Sequence, residues 1–341
     1  MVNKMHLKFT FVICLIICLS VNSFAADYKT SFIKQRQHVS CGISLDYKAL
    51  AYQKNKIWYG FDADICRAVA AAVLDNPESF KLIPIKKENI GKALNSGQID
   101  LMLGHSSLSS SEEISQYVTP IDTLYYDRII FASRTPKEAQ SMRDFSNARV
   151  CVLRNSAAAS FLIEYNQQHA LGFKSLELPD LLSLKEAFSL KRCELIIGSE
   201  IFIKDLVINL KSEEQPQLLP EEVAYLPIKA YSAGNAPSLN ISFRWIINAL
   251  KQAYAANMTS RNIQTFISTP SHSLQNLLGI TPKAWQKLNL DPEWVKYYLP
   301  KYGNYQEILN RNIGQDSSLQ LNIKQNDLAE KDGLLSYQPF I

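Results

Sequence analysis

The sequence lacks the features that mark several large classes of protein. Its 36 lysine and arginine residues nearly balance its 32 aspartate and glutamate residues, and the formal charge of +4 is too small and dispersed to favour nucleic-acid binding. It has no G-x-S-x-G, H-E-x-x-H or P-loop sequence, and its five histidines are scattered, so no catalytic motif, metal site or cofactor is indicated. No repeat is present, and no apolar run beyond the first 25 residues is long enough to span a membrane.

The amino terminus has the composition of an export signal. Two lysines give it a basic start, residues 9–19 form an apolar core too short for a spanning helix, and small residues precede position 26. We predict that residues 1–25 are a signal peptide cleaved near Ala25, which leaves a formal charge of +2 (+4 minus two lysines). A membrane anchor and a lipid on Cys18 are the alternatives, and the short core and the isoleucine before Cys18 disfavour them.

Four cysteines remain after removal of the signal: Cys41, Cys66, Cys151 and Cys193. An even number in an exported chain favours disulfides, whereas a zinc site would need a C-x-x-C pair or nearby histidines, and the sequence offers neither. Three pairings are possible from the sequence alone. Because each half of the chain holds one pair that would link the start of a strand to a later element, we predict Cys41–Cys66 and Cys151–Cys193.

Strand and helix patterns alternate along the chain in two successive units. The first unit has predicted strands at 39–43, 81–85, 99–103 and 128–133 and helices at 64–74 and 88–95. The second has strands at 149–153, 193–197 and 224–230 and helices at 155–165 and 184–190, and a long helix follows at 238–256. This alternation predicts an α/β fold of two lobes, each a mainly parallel sheet flanked by helices, joined by two crossings. We place lobe 1 at residues 26–131 plus 232–341, including a C-terminal extension, and lobe 2 at residues 132–231.

Three stretches of sequence resemble one known family. Residues 60–73 read GFDADICRAVAAAV, residues 94–100 read LNSGQID, and residues 302–314 read YGNYQEILNRNIG. Together they resemble the periplasmic solute-binding proteins of polar amino-acid ABC transporters (solute-binding protein family 3), above all the general L-amino-acid binders. The resemblance implies a type II periplasmic-binding-protein fold, the same two disulfides, a small polar solute such as an amino acid, an inner-membrane ABC permease as partner, and a monomer without a cofactor.

A zwitterionic solute leaves water only if both of its charged groups find partners. An arginine and the N–H groups of a helix start suit its carboxylate, and a carboxylate or carbonyl oxygens suit its ammonium group. The resemblance implies an arginine beyond the strand that follows Asp100 and an aspartate at the end of the strand that follows Cys193. Here Glu112 stands at the arginine position, and Ser199 stands at the aspartate position with Glu200 beside it.

The polar loop at the first helix of lobe 2 contains Arg154, Asn155 and Ser156. In one interpretation, Arg154 and the neighbouring N–H groups hold an anion while Glu112 or Glu200 holds a cation. In a second, Glu112 rejects carboxylates and the solute is cationic or neutral. In a third, solute binding has been lost. Arg154 could also be a plain surface residue, and the sequence leaves these interpretations open.

Four further residues complete the candidate site. Tyr47 and Tyr52 follow the first strand, where family members place a ring over the solute, and His105 and Ser106 follow the strand at 99–103. The resemblance also admits an enzyme, because cyclohexadienyl dehydratases resemble these binders and Glu112 or Glu200 could be a general acid there. A degenerate sensor without transport function is a third hypothesis. The long C-terminal match favours a binding protein of a transporter.

Overall fold

The computed structural model describes residues 28–104, 107–134, 141–210 and 216–341. The predicted signal peptide lies outside these residues. The strands, in chain order, are β1 Val39–Ile43, β2 Tyr52–Lys54, β3 Ile57–Tyr59, β4 Phe80–Pro84, β5 Leu101–Met102, β6 Val118–Ser133, β7 Arg149–Leu153, β8 Lys174–Leu178, β9 Leu195–Ser199 and β10 Gln217–Ala233. Eight of them form one sheet in the order β4-β1-β5-β10-β6-β9-β7-β8, and β2 and β3 form a separate hairpin.

Helices cover the sheet and continue beyond it. They are α1 Tyr28–Arg36, α2 Phe61–Leu74, α3 Ile90–Asn95, α4 Ser110–Ser115, α5 Ala157–His169, α6 Leu181–Ser189, α7 Glu200–Asn209, α8 Pro237–Ala255, α9 His272–Leu277, α10 Lys283–Lys287, α11 Trp294–Tyr302 and α12 Tyr305–Asn312. Short 3-10 turns lie at Lys87–Asn89, Met142–Phe145, Ile263–Phe266, Lys324–Asn326 and Ala329–Lys331.

The sheet consists of two parallel sets joined by an antiparallel pair. Strands β4, β1 and β5 are parallel to one another, as are β8, β7 and β9. The long strands β6 and β10, of 16 and 17 residues, pair with each other along most of their length and connect the two sets. The chain therefore enters the second set through β6 and returns through β10, which confirms the predicted α/β fold with two crossings.

Helix α2 is the buried centre of the first parallel set. Its alanines favour the helix, and 13 of its 14 residues are buried between the sheet and the C-terminal extension, residues 256–341. The Asp64 carboxylate accepts hydrogen bonds from Arg67, Arg311 and Asn312 at 2.8–2.9 Å. This buried ion cluster explains why the motifs at 60–73 and 302–314 occur together, since they pack against each other.

The predicted disulfide pairing is confirmed. Cys41 in β1 bonds Cys66 in α2, and Cys151 in β7 bonds Cys193 just before β9. Each disulfide therefore ties a strand to an element of its own parallel set.

Candidate functional site

A polar cluster, called the hinge cluster below, joins Asp127 on the crossing strand β6 to Ser199 at the end of β9 and Tyr47 in the loop after β1. The Ser199 hydroxyl donates a hydrogen bond to the Asp127 carboxylate and accepts one from the Phe202 N–H at 3.4 Å. The phenol of Tyr47 also hydrogen-bonds Ser199. Ser199 therefore links Tyr47 to Asp127.

The hinge cluster contacts both parallel sets. Asp127 and Ser199 are 2% and 7% exposed, and the half-buried Tyr47 packs against a core cluster of each set. Burial raises the pKa of the Tyr47 phenol far above its ordinary value, and the charges of Asp127 and Asp46 raise it further. The cluster therefore presents a protonated phenol beside a carboxylate at the junction of the two sets.

Arg128, the residue of β6 that follows Asp127, neutralises Glu200, one of the two glutamates predicted in the site. Arg128 donates from Nε to Glu200 at 2.7 Å and makes a second hydrogen bond to the other carboxylate oxygen. Glu200 is only 4% exposed, at the first position of α7. Since a forked arginine already compensates its charge, Glu200 serves to join α7 to the crossing strand.

Glu112, the second glutamate, is occupied by local structure. Its side chain accepts from the backbone N–H of Ser109 at 2.8 Å, while the Ser109 hydroxyl accepts from the Glu112 N–H, which completes a capping box at the start of α4. Lys87 lies 2.8 Å from its other oxygen. These hydrogen bonds lower the pKa of Glu112 in spite of some desolvation. The carboxylate is therefore a helix cap with its own cation.

The start of α5 has the predicted loop. Ser156 caps the helix by accepting from the Ala159 N–H at 3.2 Å, and Asn155 has the left-handed conformation at φ +55°. The Arg154 side chain is 55% exposed, and its Nε lies 3.6 Å from the Glu177 carboxylate. The structure thus brings an exposed guanidinium next to a capped helix start.

Tyr52 is not brought into the hinge cluster. Tyr52 lies in the β2–β3 hairpin, 45% exposed and stacked on Tyr59 with ring centroids 5.6 Å apart. His105 and Ser106 lie outside the described residues, directly after Gly104 in the chain.

Sequence reasoning missed one buried acid near this region. Asp62 is fully buried in the first turn of α2, and neither carboxylate oxygen completes a hydrogen bond with a described residue. The N–H of Gly104 is close enough to favour its charged form, but burial outweighs this and raises the pKa of Asp62 to about 8. The charge of Asp62 acts on Tyr125, whose ring packs edge-on against Phe61 at 5.3 Å. No feature of the sequence distinguishes this acid from the salt-bridged Asp64.

Comparisons with known proteins agree with the fold. No protein-family model matches the chain. The general L-amino acid-binding periplasmic protein AapJ of Rhizobium johnstonii is 27% identical over 326 residues, which cover 94% of this chain and 95% of AapJ. The glutamate/glutamine/aspartate/asparagine-binding protein BztA of Rhodobacter capsulatus is 24% identical over 90% of this chain and 92% of BztA. A Brucella ovis ABC transporter/periplasmic binding protein with glutathione bound superimposes with a TM-score of 0.83 at 25% identity, over 92% of this chain and 99% of its own.

The fold and these relatives define the class: the chain is a relative of the periplasmic binding proteins of ABC transporters. More narrowly, its curated relatives are amino-acid-binding periplasmic proteins, and its structural neighbours are solute-binding proteins of family 3, so the resemblance read from the motifs is confirmed. Within the described ranges, no helix is both long and apolar enough to cross a membrane.

Proposed function

We propose that the protein is the periplasmic substrate-binding component of an amino-acid-type ABC transporter. It closes two lobes over a small polar solute, as a monomer without a cofactor, and delivers the solute to an inner-membrane permease. The observation that carries this proposal is the superposition on a periplasmic binding protein over 92% of the chain, C-terminal extension included. All the relatives compared are binding proteins, so we propose binding rather than catalysis as the activity.

The lobe boundaries and the export route are part of the same proposal. Residues 26–131 plus 232–341 form lobe 1, residues 132–231 form lobe 2, and residues 1–25 are removed on export to the periplasm. The change of strand partners along β6 supports the boundary, because β6 pairs with β9 of the second set only from Ile129 to Ser133.

For the solute site, we propose that the hinge cluster of Tyr47, Asp127 and Ser199 receives a cationic group. Asp127 supplies the carboxylate that the serine at position 199 lacks, and its buried position strengthens the attraction. An anionic group would lie at the start of α5 with Arg154, Asn155 and Ser156. We propose Tyr52, Glu112 and Glu200 as contributors at the rim or in support of these groups. His105 and Ser106, outside the described residues, stay proposed contributors from the sequence.

Thermal unfolding of the mature protein with a panel of solutes tests the function. The panel holds the twenty amino acids, glutathione, polyamines and small organic acids. A solute at about 100 times its Kd should stabilise the protein by about 2.7 kcal/mol. A panel in which no amino acid or peptide raises Tm would contradict the amino-acid proposal, and turnover of prephenate or arogenate would favour an enzyme instead.

A matched pair of serine variants tests the site. Ser199 and Ser271 both cap a helix start, but only Ser199 contacts Asp127. S199A should weaken solute binding at least tenfold, since it removes the hydroxyl that orients the Asp127 carboxylate, whereas S271A should bind like the unchanged protein. Equal affinities of S199A and the unchanged protein by calorimetry would remove the hinge cluster from the site.

A further inference from the structure

We propose that Asn326, in the C-terminal extension, is a positioning residue of the solute site. It fixes the crossing strand β6 at Tyr126 and thereby sets where Asp127 meets Ser199. This inference rests on the proposed function, because it assigns to the extension a part in solute affinity. It concerns a residue about 200 positions away from the strand that it holds.

The contact between Asn326 and β6 has the form of a strand pairing. The Asn326 Oδ1 accepts from the Tyr126 N–H at 2.5 Å, and its Nδ2 donates to the Tyr126 carbonyl at 3.0 Å. The Gln325 side chain donates to the same carbonyl at 3.3 Å. Asn326 is only 1% exposed, so its amide is removed from water and satisfied by this backbone. One side-chain amide thus replaces one residue of a neighbouring strand.

The extension contacts a part of β6 that β9 does not reach. Within the described residues, β9 pairs with β6 only from Ile129 to Ser133. Tyr305, also in the extension, donates to the Leu124 carbonyl at 2.6 Å, two residues before Tyr126. An open strand edge would otherwise bend and exchange partners freely. The extension therefore stiffens the part of the crossing that leads to the hinge cluster.

The link from this edge to the solute site is covalent and short. Tyr126 contacts the extension, the next residue Asp127 holds Ser199, and Arg128 after it holds Glu200. Ser199 and Glu200 stand at the start of α7 in the second parallel set. Any displacement of Tyr126 therefore moves the carboxylate that we place against the solute.

The variant N326D tests this inference because it keeps the shape of the side chain. An aspartate can still accept from the Tyr126 N–H, but it cannot donate to the Tyr126 carbonyl, and it would bring two oxygens together. N322D is the matched control, since Asn322 lies four residues away, is exposed and accepts a local hydrogen bond from the N–H of Lys324. Q325A, which removes the weaker second bond, gives a milder variant if N326D does not fold.

Two measurements are made well below the Tm of each variant. Calorimetry with the solute that most stabilises the unchanged protein should show at least tenfold weaker binding for N326D, two- to threefold weaker binding for Q325A and no change for N322D. Amide hydrogen exchange without solute should rise at residues 199–202 in N326D but not in N322D. Unchanged affinity and unchanged exchange at 199–202 in a folded N326D would overturn the inference. Absence of any solute for the unchanged protein would instead defeat the proposed function, and the exchange result would still decide the positioning of Ser199.

Discussion

The buried carboxyl of Asp62 should make the protein less stable as the pH rises through the neutral range. In the folded chain burial raises the pKa of Asp62 to about 8, against an ordinary value of 3.8. Between these two values the unfolded chain is ionised at this position while the folded chain keeps its proton. The folded state then binds more protons than the unfolded state, so the free energy of unfolding falls with increasing pH.

The variant D62N isolates this effect, because asparagine has the shape of a neutral aspartic acid and does not titrate. Each pH unit between 3.8 and about 8 is worth about 1.36 kcal/mol. From pH 5 to pH 7 the stability of D62N relative to the unchanged protein should therefore increase by about 2.7 kcal/mol. At pH 7 the variant should be the more stable of the two by about 4 kcal/mol.

Urea unfolding at pH 5, 6 and 7 measures this difference, and titrations elsewhere in the chain cancel between the two proteins. D316N is the control, since Asp316 is exposed and its substitution should leave the pH profile unchanged. If the difference between D62N and the unchanged protein stays constant from pH 5 to pH 7, Asp62 is ionised in the folded chain and the reasoning fails.

Three further substitutions test the packing by urea unfolding at pH 7. D64A should lower the free energy of unfolding by about 3 kcal/mol, because it removes the buried carboxylate that Arg311 and the other donors share. A loss as small as that of an exposed ion pair would show that the Asp64 ion cluster does not stabilise the fold. Replacing both Cys151 and Cys193 with serine should lower the free energy of unfolding by about 4 kcal/mol, because it removes a cross-link over 42 residues. An unchanged urea midpoint would mean that this disulfide does not constrain the unfolded chain. K251M should lower the free energy of unfolding by about 3 kcal/mol, since the fully buried Lys251 neutralises the Asp122 carboxylate at 2.9 Å. A more stable variant would show that the ion pair does not stabilise the fold.

The alternating apolar pattern predicted several short strands, missed β2, β3 and β8, and predicted the crossing strands poorly. Strand β1 occupies the predicted residues 39–43, but β6 begins at Val118 instead of 128. In its first seven residues the buried ones are Val118, Ile121 and Leu124, a spacing of three that is typical of a helix. These residues form a strand because β10 pairs with them over a twisted, bulged ladder, and that partner lies about 100 residues away in sequence.

Around the candidate site, the sequence predicted helix caps but not the contacts between elements. The sequence Ser109 to Glu112 has the S-x-x-E pattern of a capping box, and this local signal is sufficient to indicate that Glu112 caps a helix. Ser156 was correctly expected at a helix start. No local pattern could reveal that Arg128 holds Glu200, because that contact joins residues 72 positions apart across two elements. The contact of Asp127 with Ser199 depends on the same folded arrangement.

The placement of the two disulfides has a mechanical consequence. Each bond lies inside one parallel set, Cys41–Cys66 in the first and Cys151–Cys193 in the second, and both leave β6 and β10 untouched. Formation of the two disulfides therefore makes each parallel set more rigid without stiffening the pair of strands, β6 and β10, that connects the sets. In the proposed function, closure therefore bends β6 and β10 rather than either parallel set, and it bends them least where the C-terminal extension holds β6.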